Sequence, residues 1–239
     1  MDPAEILTFF VNSFFIVFLM TGAIMIRFRD PKNPLNRSFY NFILYFSLAF
    51  VINIIYRLLP FEFWKAFLGR MTIGMIAFAF IFLLQFNLIL LNDSTFNRKK
   101  RWIITLTWLL ICSGFVYLDW NNGVIWVVNS DFPSGIPYWS TNFTLYALIL
   151  SQCLFIVIFV ILNITKKTLD PSKPKTKHFS KNLTVFFFNW FLVGNILNNW
   201  EIFREYVAWF STFMFYSTFL ALPGFIIFWL SIIRKVEYI

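Results

Sequence analysis

The chain has 239 residues, of which 59% are hydrophobic, 23% aromatic and only 13% charged, with a formal net charge of +9. Soluble domains carry about 25% charged residues, and a compact fold of this size keeps too much solvent-facing surface to hide so many apolar side chains. A water-soluble globular protein is therefore excluded, and lipid is the expected solvent for much of the chain. The excess of Lys and Arg would suit nucleic acid in a soluble protein, but in a membrane protein it marks one face.

Apolar runs of about 20 residues are the signature of membrane helices. In chain order they predict seven spans, at about 5–26, 38–59, 67–91, 102–119, 140–164, 182–200 and 206–232. The runs are too long for barrel strands, so the expected fold class is an all-α polytopic membrane protein forming one domain over 1–239. The first run follows an acidic start and has no small-residue cleavage site, so it is expected to be a retained helix. Cys112 and Cys153 both sit inside apolar runs and are expected to be small buried hydrophobes without a disulfide.

The connections carry the charge. Arg27, Arg29, Lys32 and Arg37 follow the first span, and Arg98, Lys99, Lys100 and Arg101 the third. Lys166, Lys167, Lys173, Lys175, Lys177 and Lys181 follow the fifth, and Arg234 and Lys235 close the chain. The opposite side holds Arg57, Lys65, Arg70 and Arg204. Basic residues in short loops stay in the cytoplasm, which with seven spans puts the N-terminus outside and the C-terminus in the cytoplasm. The expected partners are the lipid bilayer, with anionic headgroups against the cytoplasmic loops, and a protein in the membrane or at its cytoplasmic face. No nucleic acid is needed. On the outer side, "GVIWVV" in the 119–139 segment is β-prone and bounded by turn residues, which predicts a small hairpin or lid.

Chemistry is sparse. His178 stands alone in a Lys-rich loop, and no His cluster or paired carboxylate lies at membrane depth. Ionisable residues in mid-membrane usually mark ion or proton paths, and the spans have none at their centres. No metal, cofactor or catalytic residue is expected, and the chain is expected not to be an enzyme. Polar uncharged residues within the spans, such as Asn53, Gln85, Asn87 and Gln152, suit interhelical hydrogen bonds or a cavity lining. Asn195, Asn198 and Asn199 crowd the outer end of the sixth span.

The outer rim is rich in aromatics: Trp64, Trp120, Trp126, Tyr138, Trp139, Trp200, Tyr206 and Trp209. Either they form an interfacial belt, or some line a ligand pocket between the outer ends of spans 2, 3, 6 and 7, roofed by 119–139. The pocket candidates are Arg57, Asn195, Asn199, Trp200, Glu201, Arg204 and Trp209. They combine a cation, carboxylates, amides and flat apolar surface at one depth. Pro223 and Gly224 in the last span are candidates for a kink that transmits movement to the C-terminal tail.

The last span lacks the mid-helix lysine that retinal binding needs, and neither Asp-Arg-Tyr nor Asn-Pro-x-x-Tyr occurs at the places the main G-protein-coupled receptor class has them. The chain resembles instead the seven-helix input region of prokaryotic sensor histidine kinases and related signalling proteins. Asn33, Asn36, Arg37 and Phe39 before the second span carry the likeness, with Gly135, Pro137 and Tyr138 before the fifth and "LALPGFIIFWLSIIRKVEY" in the last. The resemblance implies a sensory or receptor-like module in a prokaryotic plasma membrane. With no kinase domain after Ile239, the signal would pass to a separate partner. A structural subunit of a larger membrane complex and a small-molecule transporter subunit are the alternatives.

Overall fold

In the computed structural model of the protein, the described residues are 3–91, 97–118, 123–128, 136–168 and 226. They form helices α1 (Pro3–Arg29), α2 (Pro34–Leu58), α3 (Glu62–Leu91) and α4 (Arg98–Tyr117), strands β1 (Val124–Val127) and β2 (Ile136–Trp139), and helix α5 (Thr141–Thr168). The chain divides into two compact units, Met1–Leu83 with Arg98–Ala147, and Leu84–Asn97 with Leu148–Ile239.

In the first unit each helix is apolar on both faces, and burial alone tells them apart. On α1, Phe15, Leu19, Ala23 and Ile26 are buried, whereas Phe10, Phe14, Val17, Ile24 and Phe28 are exposed. Both sets recur at three- and four-residue spacing, the period of one helix face. An exposed stripe of this kind would be an aggregation hazard in water, and it is what lipid solvates. Lipid offers no hydrophobic driving force between helices, so close packing must hold them. Much of that packing is aromatic. Phe15 meets Phe50 at a centroid distance of 5.5 Å, Phe42 and Phe46 meet Phe80 at 5.7 and 5.8 Å, and Tyr45 stacks on Phe82 at 5.2 Å. Ring pairs of this kind contribute roughly 0.5–1.5 kcal/mol each beyond buried area.

The pairings give the helix directions. Arg27 lies over the Tyr40 ring while Phe15 meets Phe50, so α1 and α2 are antiparallel. Residues 42–46 of α2 meet residue 80 of α3, and at its other end Tyr56 meets Trp126 of β1, whose neighbour Val124 bonds Arg70 of α3. On α4, Trp108 Nε1 donates to the Ala77 carbonyl at 2.9 Å, and Phe115 lies beside Gly74. Thus α2 and α4 both run opposite to α3. The first residues of α2 and of α4 therefore share one end of this unit, bringing Arg37 and Arg98–Arg101 together there. The hairpin closes the other end. Hydroxyls within the helices bond back to the carbonyl four residues earlier, as in Ser47 to Ile43 at 2.7 Å and Thr72 to Leu68 at 3.0 Å. This satisfies them without water.

In the second unit, Gln85, Phe86, Asn87 and Ile89 of α3 are buried. On α5, Leu154, Phe155, Ile158, Leu162 and Thr165 are buried, and Ile149, Ile156, Phe159, Val160 and Ile164 are exposed.

Four helices among the described residues are long and apolar enough to cross a membrane: Asn12–Arg29, Pro34–Tyr56, Glu62–Leu91 and Thr141–Thr165. Among its described residues the protein is thus an all-α polytopic membrane protein with four such helices, which corrects the expected seven. The run at 102–119 fails on length. Four basic residues fill the first turn of α4, leaving about 16 residues, or ~24 Å of helix, against a hydrocarbon core of ~30 Å. The runs at 182–200 and 206–232 lie outside the described residues, Ile226 apart. The argument for an outer N-terminus with a cytoplasmic C-terminus needed an odd count, and it falls with the seven.

The likeness to the seven-helix sensor region is corrected on the same ground. The residues that carried it before α2 have a local explanation. Asn33 is the N-cap of α2, its Oδ1 accepting from Leu35 N at 2.9 Å. Asp30 Oδ1 accepts from the backbone N–H groups of Lys32 and Asn33, and Asn36 Nδ2 donates to the Asp30 carbonyl. Any tight turn into a helix that starts with proline favours such residues. The stretch at the end of the chain lies outside the described residues, again with the exception of Ile226. Cys112 is buried and Cys153 exposed, both as free thiols. The expectation of two buried cysteines is corrected at Cys153, which an α5 face pointing away from the packed stripe carries outward.

Candidate functional site

At the hairpin end of the first unit, the short turn Leu59–Pro60–Phe61 joins α2 to α3. The Leu59 N–H bonds back to the Tyr56 carbonyl at 3.4 Å, and Pro60 cannot continue the helix. Helix α3 then starts at Glu62, whose carboxylate suits the positive end of a helix. Residues 62, 63, 66, 67 and 70 recur at helical spacing and so share one face.

The hairpin lies over that face. Its strands pair antiparallel, with Val124 opposite Trp139 and Trp126 opposite Pro137. Ser140 fixes the exit. Its N–H bonds to the Gly123 carbonyl at 2.8 Å, and its hydroxyl accepts from Phe143 N at 3.3 Å as the N-cap of α5. The predicted hairpin is present, and strand alternation gives its residues different tasks. Val124 is buried and Ile125 exposed. Trp126 packs edge-on to Tyr56 at 6.0 Å, with the Lys65 ammonium 4.8 Å above its ring.

Between helix and hairpin is a half-open cleft of ≈ 210 Å³, lined by Glu62, Phe63, Ala66, Phe67, Arg70, Val124, Ile125 and Trp126. Among its described residues the deeply buried ionisable group is Arg70, only 3% exposed, which donates from Nη2 to the Val124 carbonyl at 3.3 Å. That bond ties the helix to the roof. Glu62 is exposed at the mouth, and eight helical residues place it ~12 Å along the axis from Arg70. Among the described residues the lining offers rings, one buried cation and one exposed carboxylate, and no hydroxyl, thiol or imidazole nucleophile. Among the described residues no three His, Cys, Asp or Glu gather into a metal-binding set.

Of the pocket residues predicted from sequence, Arg57 lies on α2 next to Tyr56, at the hairpin end, and its side chain is outside the described part. Asn195, Asn199, Trp200, Glu201, Arg204 and Trp209 lie outside the described residues, as do Pro223 and Gly224. The cleft instead draws on Phe63, Phe67 and Arg70, which sequence reasoning passed over. Their signal was present in the one-face spacing of 62, 63, 66, 67 and 70, with a cation inside the first turns of an apolar run. Trp126, expected in the aromatic rim, has its ring held against Tyr56 and Lys65.

No protein-family model matches the chain, and no curated protein matches it.

Proposed function

We propose that this protein is a receptor-like membrane module without catalytic chemistry of its own, which takes a small ligand at the hairpin end and passes the event to a separate protein partner. The observation that carries this reading is the roofed cleft, in which one buried cation bridges a long apolar helix and a two-stranded lid. Apolar clefts with a few convergent polar groups are how small molecules are held. A ligand that engages Arg70 acts on the bond between lid and helix, and that gives binding a mechanical consequence. Among the described residues the cleft lining brings together no nucleophile or metal set, which supports a binding role over an enzymatic one. The eight basic residues of Arg27–Arg37 and Arg98–Arg101 support contact with anionic lipid headgroups at the opposite end, each worth about 1 kcal/mol near a charged surface. Arg57, Asn195, Asn199, Trp200, Glu201, Arg204 and Trp209, the candidates read from sequence, are the second set of residues to be scanned.

A second reading, as a structural subunit of a larger membrane complex, has one observation in its favour. Helix α4 is short for a bilayer, yet it exposes Trp102, Ile103, Leu106, Leu109 and Leu110. One experiment separates the two. The protein in phosphatidylcholine nanodiscs is screened for ligands that raise its melting temperature, alongside Phe67→Ala and Trp126→Ala. Ligands lost with both variants support the receptor reading. No such ligand, together with a stoichiometric enzyme complex in mild detergent, favours the structural subunit.

A further inference from the structure

We infer that α4 thins the bilayer beside it: its exposed face takes phospholipids of short acyl chain, in a hydrocarbon layer of ~22 Å against the usual ~30 Å. This surface is distinct from the cleft, and the inference stands whether or not the cleft holds a ligand. The first observation is direction. Trp108 of α4 bonds the Ala77 carbonyl of α3, and Phe115 lies beside Gly74. Helix α4 therefore runs antiparallel along a helix long enough to cross a membrane, and joins the basic end of the first unit to its hairpin end. The second observation is length. The apolar face of α4 opens at Trp102, directly after Arg98–Arg101, and closes at Tyr117, and these two rings are 54% and 72% exposed. Amphipathic rings sit at the membrane–water interface, and the fifteen-residue step between them gives ~22 Å of helix. On α1 the exposed apolar residues run from Phe9 to Phe28, or ~29 Å by the same rise. Two faces of one unit thus match different thicknesses of lipid.

A helix shorter than the hydrocarbon layer is accommodated by thinning, by snorkelling of its flanks or by oligomerising. Snorkelling serves one end only. Arg98 and Lys99 can reach water along their flexible stems, whereas residues 115–118 at the other end include no cation. Oligomerising calls for a narrow seam and small residues that let backbones approach. The exposed residues Trp102, Ile103, Leu106, Leu109, Leu110 and Ile111 instead cover about 200° of the helix, taken at 100° per residue. All six are bulky, and the glycine of α4, Gly114, is turned to Tyr146 of α5. A broad, bulky face of this kind suits fluid acyl chains. The basic turn adds to the effect, because it draws anionic headgroups to the level of Trp102.

The test reads which lipid touches α4. In a Cys112→Ala, Cys153→Ala background, a fluorophore is attached at Leu110→Cys on α4 and, in a separate protein, at Val17→Cys on α1. Each protein is reconstituted in an equimolar mixture of dimyristoleoyl- and dioleoyl-phosphatidylcholine, with one of the two lipids brominated at a time. Bromine quenches only at close range, so the quenching reports the neighbouring chains. At Leu110→Cys the shorter lipid should quench at least about twofold more than the longer, the selection expected from a mismatch of this size. At Val17→Cys the two should quench about equally. Should Leu110→Cys fail to give a monodisperse protein, Leu106→Cys on the same face decides. Equal quenching on α4, or stronger quenching by the longer lipid, overturns the inference. So does an equal preference for the shorter lipid on α1, which would make the thinning no property of α4. Quenching by neither lipid on α4 places a protein partner or a second copy on that face, and overturns it as well.

Discussion

A β-carbon added to Gly114 would lie 2.7 Å from Cζ and 3.1 Å from Cε1 of Tyr146. Tyr146 of α5 crosses to α4, donates its hydroxyl to the Ile111 carbonyl and packs edge-on to Phe115 at 5.0 Å. Gly114→Ala must therefore swing the ring away. The hydrogen bond is worth roughly 1 kcal/mol and the ring pair about 0.5–1.5 kcal/mol. Against this, alanine gains about 1 kcal/mol over glycine within a helix. The net expectation is a loss of about 1 kcal/mol. Gly69 is the internal control, since a β-carbon there meets nothing within 4 Å. Gly69→Ala should gain about 0.4–1 kcal/mol, so the two identical substitutions should move stability in opposite directions. The assay is equilibrium unfolding by SDS titration in dodecylmaltoside, followed by far-ultraviolet circular dichroism. With Tyr146→Ala as background, Gly114→Ala should turn stabilising, a coupling of about 1–2 kcal/mol. If Gly114→Ala stabilises as much as Gly69→Ala with Tyr146 intact, α4 and α5 do not meet as described.

Trp108→Phe deletes the bond to the Ala77 carbonyl and should cost about 1 kcal/mol in the same titration, with the helix content unchanged. Asn33→Ala removes the N-cap of α2 and should cost about 1 kcal/mol, whereas Asn33→Ser should retain most of that; equal losses would contradict the cap. With both native cysteines replaced, Lys32→Cys and Lys99→Cys should be labelled from one side of sealed vesicles and Ile125→Cys from the other. Labelling of all three from the same side would contradict the antiparallel order of α2, α3 and α4.

What could be read in the sequence was set by solvent. Apolar runs above the hydrocarbon thickness stand out because lipid imposes a length, and α1, α2, α3 and α5 follow the predicted runs closely. The run at 102–119 was over-read because counting apolar residues ignores where a helix spends its first turn. In α4 that turn is Arg98–Arg101, too basic to sit in hydrocarbon. The hairpin was legible because β-branched and aromatic residues between turn formers carry a local signal. The resemblance misled because Asn33 and Asn36 answer a local need, capping and bracing a turn, that recurs wherever a short loop enters a helix at proline.

The cleft was harder to read for a different reason. Its lining comes from one helix face and one strand more than 50 residues apart, and the bond joining them, Arg70 to Val124, uses a backbone carbonyl that leaves no trace in side-chain chemistry. From sequence alone Arg70 is one of four cations on the sparsely charged side, indistinguishable from Lys65. Packing separates them. Lys65 can reach water along its flexible stem, while Arg70, five residues further into the helix, is covered by the hairpin. A guanidinium in that position is retained at a desolvation cost of several kcal/mol. That burial is what the sequence does not show, because it comes from the hairpin folding over α3 and not from the residues that flank Arg70 in the chain.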